Sequence, residues 1–240
     1  MTSHLECSPR SLCGGRSSLN SRDMSSFVLN RLLRFDTRIK QQFQGCLAGV
    51  DEVGRGPLAG PVVAAAVILF RKSSFKGLND SKQVLPERRE LLFWEIAQNA
   101  LVGLGVVDEQ TIDEINIYHA SLLAMKRAVL ALTRTPDLLL VDGKAKVSLP
   151  IMQQTVIGGD GKSASIAAAS IIAKVYRDAW MKHLDQLYPD YNFKSHKGYA
   201  TPEHIKRIRQ IGPSPVHRKS FYPVQTFFEE PRESVCEVSA

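Results

Sequence analysis

Apolar runs in this chain end abruptly on carboxylates. Ala48-Gly49-Val50 runs into Asp51-Glu52, Leu139-Leu140-Val141 runs into Asp142-Gly143, and Asp160 follows the Val156-Ile157-Gly158-Gly159 turn. An ionised acid at the end of a buried strand costs on the order of several kcal/mol unless it is paired or bound to a cation. One such acid beside a glycine reads as a turn cap. Four of them require a fold that brings these strand ends together around something positive.

The intervening pattern supplies such a fold. Residues 46–52 and 61–70 are β-rich and separated by a glycine turn, which predicts a hairpin of adjacent antiparallel strands. Residues 101–107, 138–141 and 154–157 read as three more strands. Helical periodicity covers 86–100 and 118–133. A long Ala-rich helix is predicted over 163–187, stopped by Pro189, and Thr201-Pro202 caps a last helix reaching about Ile211. A mixed sheet covered by helices, with a helical C-terminal part, is an α/β domain.

At 240 residues the chain suits one domain with some surplus. No run approaches the ~20 apolar residues of a bilayer span. Cys7, Cys13, Cys46 and Cys236 form no C-x-x-C pair and no zinc-like spacing, so they read as free thiols of a reducing, cytoplasmic compartment. A monomer is expected. The net charge of +7 points to an anionic partner, and residues 174–219 hold ten Lys or Arg against four Asp or Glu.

Residues 1–44 read as an N-terminal extension: a Ser-rich leader expected to be disordered through residue 26, with Met24 as an alternative start, then a basic amphipathic helix over 27–43 expected to pack on the domain. Residues 45–222 form the expected catalytic domain and 223–240 a tail.

Oxygen ligands with no His or Cys beside them select Mg²⁺ or Mn²⁺ over zinc, and a carboxylate cluster can hold two such ions ~3.5–4 Å apart for in-line attack at phosphorus. Adjacent strand residues point to opposite faces, so Asp51 and Glu52 reach one site only if the strand ends or bulges there, and Gly54 is the expected bend. Gly54-Arg55-Gly56-Pro57-Leu58-Ala59 also satisfies a dinucleotide fingerprint. Context rejects it, since Pro61-Val62-Val63 opens a strand instead of a helix and two acids stand upstream.

Seven segments, in order, resemble motifs of the bacterial ribonuclease HII family: residues 51–61 (DEVGRGPLAGP), Asn79-Asp80-Ser81-Lys82, Val141-Asp142-Gly143, Gly159-Asp160, residues 165–175, His196-Lys197-Gly198-Tyr199 and residues 217–221 (HRKSF). The resemblance covers about residues 45–222. It implies a ribonuclease H-like fold and hydrolysis on the 5′ side of ribonucleotides in RNA/DNA hybrids and in duplex DNA holding embedded ribonucleotides, by two Mn²⁺ or Mg²⁺ ions. It assigns Asp51, Glu52, Asp142 and Asp160 to metal, Gly54, Arg55 and Gly56 to reading the ribose 2′-hydroxyl through the backbone, and Tyr199 to packing on the sugar past the RNA-to-DNA junction. Glycine permits that close approach, and the 2′-hydroxyl is what separates RNA from DNA.

Ser170, Lys174 and Arg177 share one helix face at i, i+4 and i+7 and, with Lys82, Lys162 and Lys197, are candidate phosphate contacts. The family often has a further lysine where Gln83-Val84 stands and an arginine where Lys219 stands. Gln225-Thr226-Phe227-Phe228 resembles a sliding-clamp peptide with the wrong spacing. The alternative is a non-catalytic binder of RNA/DNA hybrids, which has no use for four metal ligands.

Overall fold

The computed structural model describes residues 21–70 and 75–229, with side chains from Ser26 onward. Its organising element is the strand β2 (Val62–Leu69), buried along its whole length. Alternation sends Val63, Ala65, Val67 and Leu69 to one face and Val62, Ala64, Ala66 and Ile68 to the other, each into its own apolar cluster. A strand apolar on both faces belongs inside a covered sheet. It pairs antiparallel with β1 (Leu47–Val53) and with β3 (Ala100–Val107). β1 pairs parallel with β4 (Leu138–Asp142), and β4 with β5 (Met152–Val156), which gives the order β3-β2-β1-β4-β5.

Helices cover both faces. On one lie α1 (Ser21–Phe43), α2 (Pro86–Asn99) and α4 (Ala164–Leu187); on the other lies α3 (Glu109–Leu130). The alanines of α4 meet those of β2, and the approach over β1 is closer still: a Cβ on Gly49 would stand 2.1 Å from the Ser165 carbonyl carbon. No side chain fits there. Helices α5 (Phe193–His196) and α6 (Pro202–Ile211) join the 54–61 loop through Leu58, Ala59, Met181, Phe193 and Ile208.

Two expectations change. The N-terminal helix begins at Ser21, inside the leader expected to be disordered through residue 26; residues 1–20 lie outside the described residues. The helix expected over 118–133 begins nine residues earlier, at Glu109, and is broken at Asn116 (φ 63°, ψ 163°). The Asn116 side chain accepts from Tyr118 N (3.0 Å) and His119 N (3.2 Å), so it caps the second segment, which is the part the periodicity revealed.

Candidate active site

Strands β1, β4 and β5 run parallel, so their carboxyl ends share one sheet edge, the usual place for a site in such sheets. The β1–β4 register ends at Val50↔Val141, and its next step would put Asp51 beside Asp142. The β1–β2 ladder runs on unbroken through Val53↔Val63, so of the two expected possibilities, a strand end or a bulge, there is no bulge. What frees Glu52 to reach the same site is the end of pairing with β4, and the chain turns immediately afterwards at Gly54 (φ +93°).

Asp51 is buried at the centre. Its Oδ1 accepts Glu52 N at 2.7 Å, and the Ser170 hydroxyl, itself 2.9 Å from Ser81 Oγ, hydrogen-bonds its carboxylate. Burial, then the negative charges of Glu52 and Asp142, push its carboxyl well above the usual range. Burial also raises Glu52, with Asp142 adding to it and the neighbouring Arg55 (3.3 Å) opposing. Asp142 is held by Gly159 N (2.7 Å) and Asp160 by Gly161 N (2.9 Å). Burial raises Asp160 too, followed by the charges of Asp80 and Asp142.

This donor set suits a hard divalent cation, since it offers only oxygens and carries like charges, with Arg55 their one ion-pair partner among the described residues. Among the described residues, no group of three or more His, Cys, Asp or Glu side chains is gathered tightly enough to hold an ion as it stands. Closing the set requires side-chain rotation, and Glu52, Asp142 and Asp160 are all partly exposed.

The turn carrying Asp160 is fastened from outside the sheet. Ser163 caps α4, and the buried Asp36 of α1 accepts Ser163 Oγ (2.6 Å), Ser165 Oγ (2.7 Å) and Ser165 N (2.9 Å). An anion at a helix N-terminus is favoured by the exposed N–H groups there. Arg31 adds a bond to Gly161 O at 3.1 Å.

Tyr199 and the Gly-Arg-Gly turn stand side by side: a Cβ on Gly56 would lie 3.8 Å from Tyr199 Cε1. Tyr199 keeps 41% of its surface exposed, with the Arg177 guanidinium 5.9 Å from its ring. The shared face of Ser170, Lys174 and Arg177 points inward, which corrects the expected phosphate surface. Arg177 is fully buried and bonded to Ala59 O, Pro61 O and Lys197 O, Ser170 serves Asp51, and Lys174 is paired with Asp178 at 2.7 Å. Lys82 and Lys162 are exposed, Lys162 bonded to Ile157 O (2.7 Å), and Lys197 is half-buried, bonded to Lys194 O.

Sequence reasoning assigned no role to Asp80, Ser81, Asp36 or Arg218, although three of them stand in or beside quoted motifs. It also missed a buried histidine chain. His217 Nδ1 accepts Ser214 N–H (2.9 Å), His217 Nε2 meets His204 Nε2 (3.0 Å), and His204 Nδ1 meets Tyr199 O (2.9 Å). Since the Tyr199 carbonyl only accepts, His204 donates from Nδ1 and receives His217 Nε2–H, so both rings are neutral. His196 stacks on His204 at 4.2 Å. Burial, then the neighbouring histidine, pushes His217 down to about 3; burial chiefly pushes His204 down to about 4.

Comparison with known proteins gives the arrangement a lineage. The family model described as Ribonuclease HII matches residues 48–224. Ribonuclease HII of Bacillus pumilus (strain SAFR-032) is 52% identical over 199 residues, 82% of this chain and 78% of that protein. The enzyme of Geobacillus kaustophilus (strain HTA426) is 53% identical over 195 residues, 81% and 75% of the two chains. Among solved structures, the ribonuclease H2 of Pyrococcus horikoshii OT3 superposes with a TM-score of 0.65 at 27% identity, covering 75% of this chain and 95% of that one. The chain belongs to the ribonuclease HII family and is a ribonuclease H.

Proposed function

We propose that the enzyme hydrolyses the phosphodiester 5′ to ribonucleotides, both in RNA/DNA hybrids and at single ribonucleotides embedded in duplex DNA, leaving 3′-hydroxyl and 5′-phosphate ends. The observation that carries this reading is the convergence of Asp51, Glu52, Asp142 and Asp160 on one sheet edge beside the Gly54-Arg55-Gly56 turn. Two divalent ions, Mn²⁺ or Mg²⁺, supply an acidified water and neutralise the leaving oxygen when bound. The four carboxylates hold them, with Asp51 fixed by Ser170 and Glu52 N, and Asp142 by Gly159 N.

The turn reads the ribose: Gly56 offers backbone without a side chain, and Tyr199 beside it packs on the next sugar. Lys82, Lys162 and Lys197 contact phosphates. Ser170 and Arg177 position the site from beneath it. No described helix is long and apolar enough to cross a membrane. We read the enzyme as a cytoplasmic monomer.

A duplex with one ribonucleotide, incubated with Mn²⁺, is expected to be nicked 5′ to that residue, and Asp142→Asn is expected to abolish the nick. Cleavage that survives this change removes the site assignment. Tight, salt-sensitive binding without turnover by the unaltered protein identifies a binder instead. A substrate with a four-ribonucleotide tract, run alongside, distinguishes this activity from that of ribonucleases H that need several consecutive ribonucleotides.

A further inference from the structure

The loop over residues 54–61 is held from behind by two arginines. Arg218 donates from Nη2 to Gly54 O (2.6 Å), from Nη1 to Arg55 O (3.0 Å), and from Nε and Nη2 to Gly60 O (3.0 and 2.7 Å). Arg177 takes Pro61 O (2.9 Å) and Ala59 O (3.1 Å). Both are 0% exposed, and neither forms an ion pair with a carboxylate among the described residues. A buried guanidinium whose hydrogen bonds all go to carbonyls is costly to keep. Burial and the neighbouring Arg177 push Arg218 down to about 9.

The bonds of Arg218 fix more than the loop's path. In a planar trans peptide the carbonyl of one residue and the N–H of the next point in opposite directions. By drawing Gly54 O and Arg55 O inward, Arg218 turns the N–H groups of Arg55 and Gly56 outward. Both residues are exposed, and neither N–H has an acceptor among the described residues. A charged donor on the carbonyl also polarises the peptide and strengthens the N–H at its other end. Arg177 differs: the Ala59 peptide it holds directs Gly60 N to Val216 O (3.0 Å), and the Pro61 peptide leads into the first residue of β2.

We propose that Arg218 is the specificity-positioning residue of this ribonuclease: its buried guanidinium orients the two peptides of Gly54-Arg55-Gly56 so that their N–H groups stand as a fixed pair of donors to a ribose hydroxyl oxygen. The inference rests on the proposed ribose-reading role of the turn and names what gives that turn its aim. Lysine at 218 keeps the charge and loses the fork, so it cannot hold Gly54 O, Arg55 O and Gly60 O together.

Affinity is measured with Ca²⁺ in place of Mn²⁺, on duplexes identical except for one ribonucleotide. Arg218→Lys is expected to lower the ribo-to-deoxy preference about tenfold, the discrimination one hydrogen bond provides, and with Mn²⁺ to raise KM more than it lowers kcat. Arg177→Lys, which loosens the far end of the same loop, is expected to cost less of the preference than Arg218→Lys. An Arg218→Lys protein that folds and keeps the wild-type ratio overturns the proposal, as does an equal loss in Arg177→Lys. If Arg218→Lys does not fold, amide exchange in the wild-type protein decides. Arg55 and Gly56 N–H are expected to exchange fast in the free enzyme and to be protected by the ribonucleotide duplex but not by all-DNA; slow exchange in the free enzyme, or equal protection by both, overturns it. Wild-type protein that shows no ribo preference fails the functional reading itself, before any substitution is made.

Discussion

The neutral histidine chain beneath Tyr199 makes the enzyme acid-labile by a calculable amount. An unfolded histidine titrates near 6.5, whereas burial holds His204 near 4 and His217 near 3. Below pH 6.5 the unfolded chain therefore binds protons that the folded chain refuses, and stability falls as pH drops from about 6.5 towards the folded values. Between pH 7 and 5 this amounts to about 2 kcal/mol for each ring. Asp51, Glu52 and Asp160 act in the opposite sense: their carboxyls are raised in the folded state, so the fold gains from their protonation as pH falls. A difference measurement cancels them. His217→Gln removes one ring, so urea unfolding at pH 7 and pH 5 is expected to show the variant losing about 2 kcal/mol less than the wild type over that interval, although it starts lower because His204 Nε2 loses its donor. Parallel losses in the two proteins would refute the neutral chain.

The two glycines of the turn should separate stability from activity. Gly54→Ala places a Cβ at φ +93° and 2.3 Å from Arg177 Nε, so calorimetry should register a loss of about 2–4 kcal/mol. Gly56→Ala makes only an ordinary contact with Tyr199 and should melt with the wild type, while cleavage of the embedded-ribonucleotide duplex falls about tenfold or more because the methyl stands where a sugar approaches. Asp36→Ala strips the α4 N-terminus of its anion and leaves Ser163 and Ser165 donors unsatisfied, a cost of about 2–3 kcal/mol. Its melting temperature should drop by roughly 5–10 °C; an unchanged value would mean α1 is dispensable to the domain.

The strands were legible because β-rich runs are punctuated by Gly and Pro, and the acids because a charge in an apolar run is conspicuous. Periodicity also placed Ser170, Lys174 and Arg177 on one helix face. It could not tell whether that face looks out or in, and here the charged residue with the most donors is the most deeply buried. Helix spacing fixes relative direction; only tertiary packing fixes what lies opposite. The same limit hid the first segment of α3, whose break rests on a single residue at positive φ, Asn116. His204 and His217 are thirteen residues apart and meet only because the chain after α6 returns to pair Ala59 with His217.

That inward face explains how separate elements hold one geometry. Ser163, Ser170 and Arg177 lie seven residues apart along α4, nearly two turns each, so they form one stripe at intervals of roughly 10 Å. Ser163 stands at the Asp160 turn and binds Asp36, Ser170 holds Asp51, and Arg177 holds the 54–61 loop. One rigid helix thus spaces an acid-bearing turn, the central acid and the loop proposed to read the ribose, while alanines and Gly49 let it lie close enough on β1 to do so. Inserting a residue after Ser170 would rotate Arg177 by about 100° out of that stripe and leave Ser163 and Ser170 in place. Such a protein should therefore lose the ribose-reading loop before it loses the carboxylate edge, which makes the two functions separable even though a single strand and turn, residues 51–56, carries both.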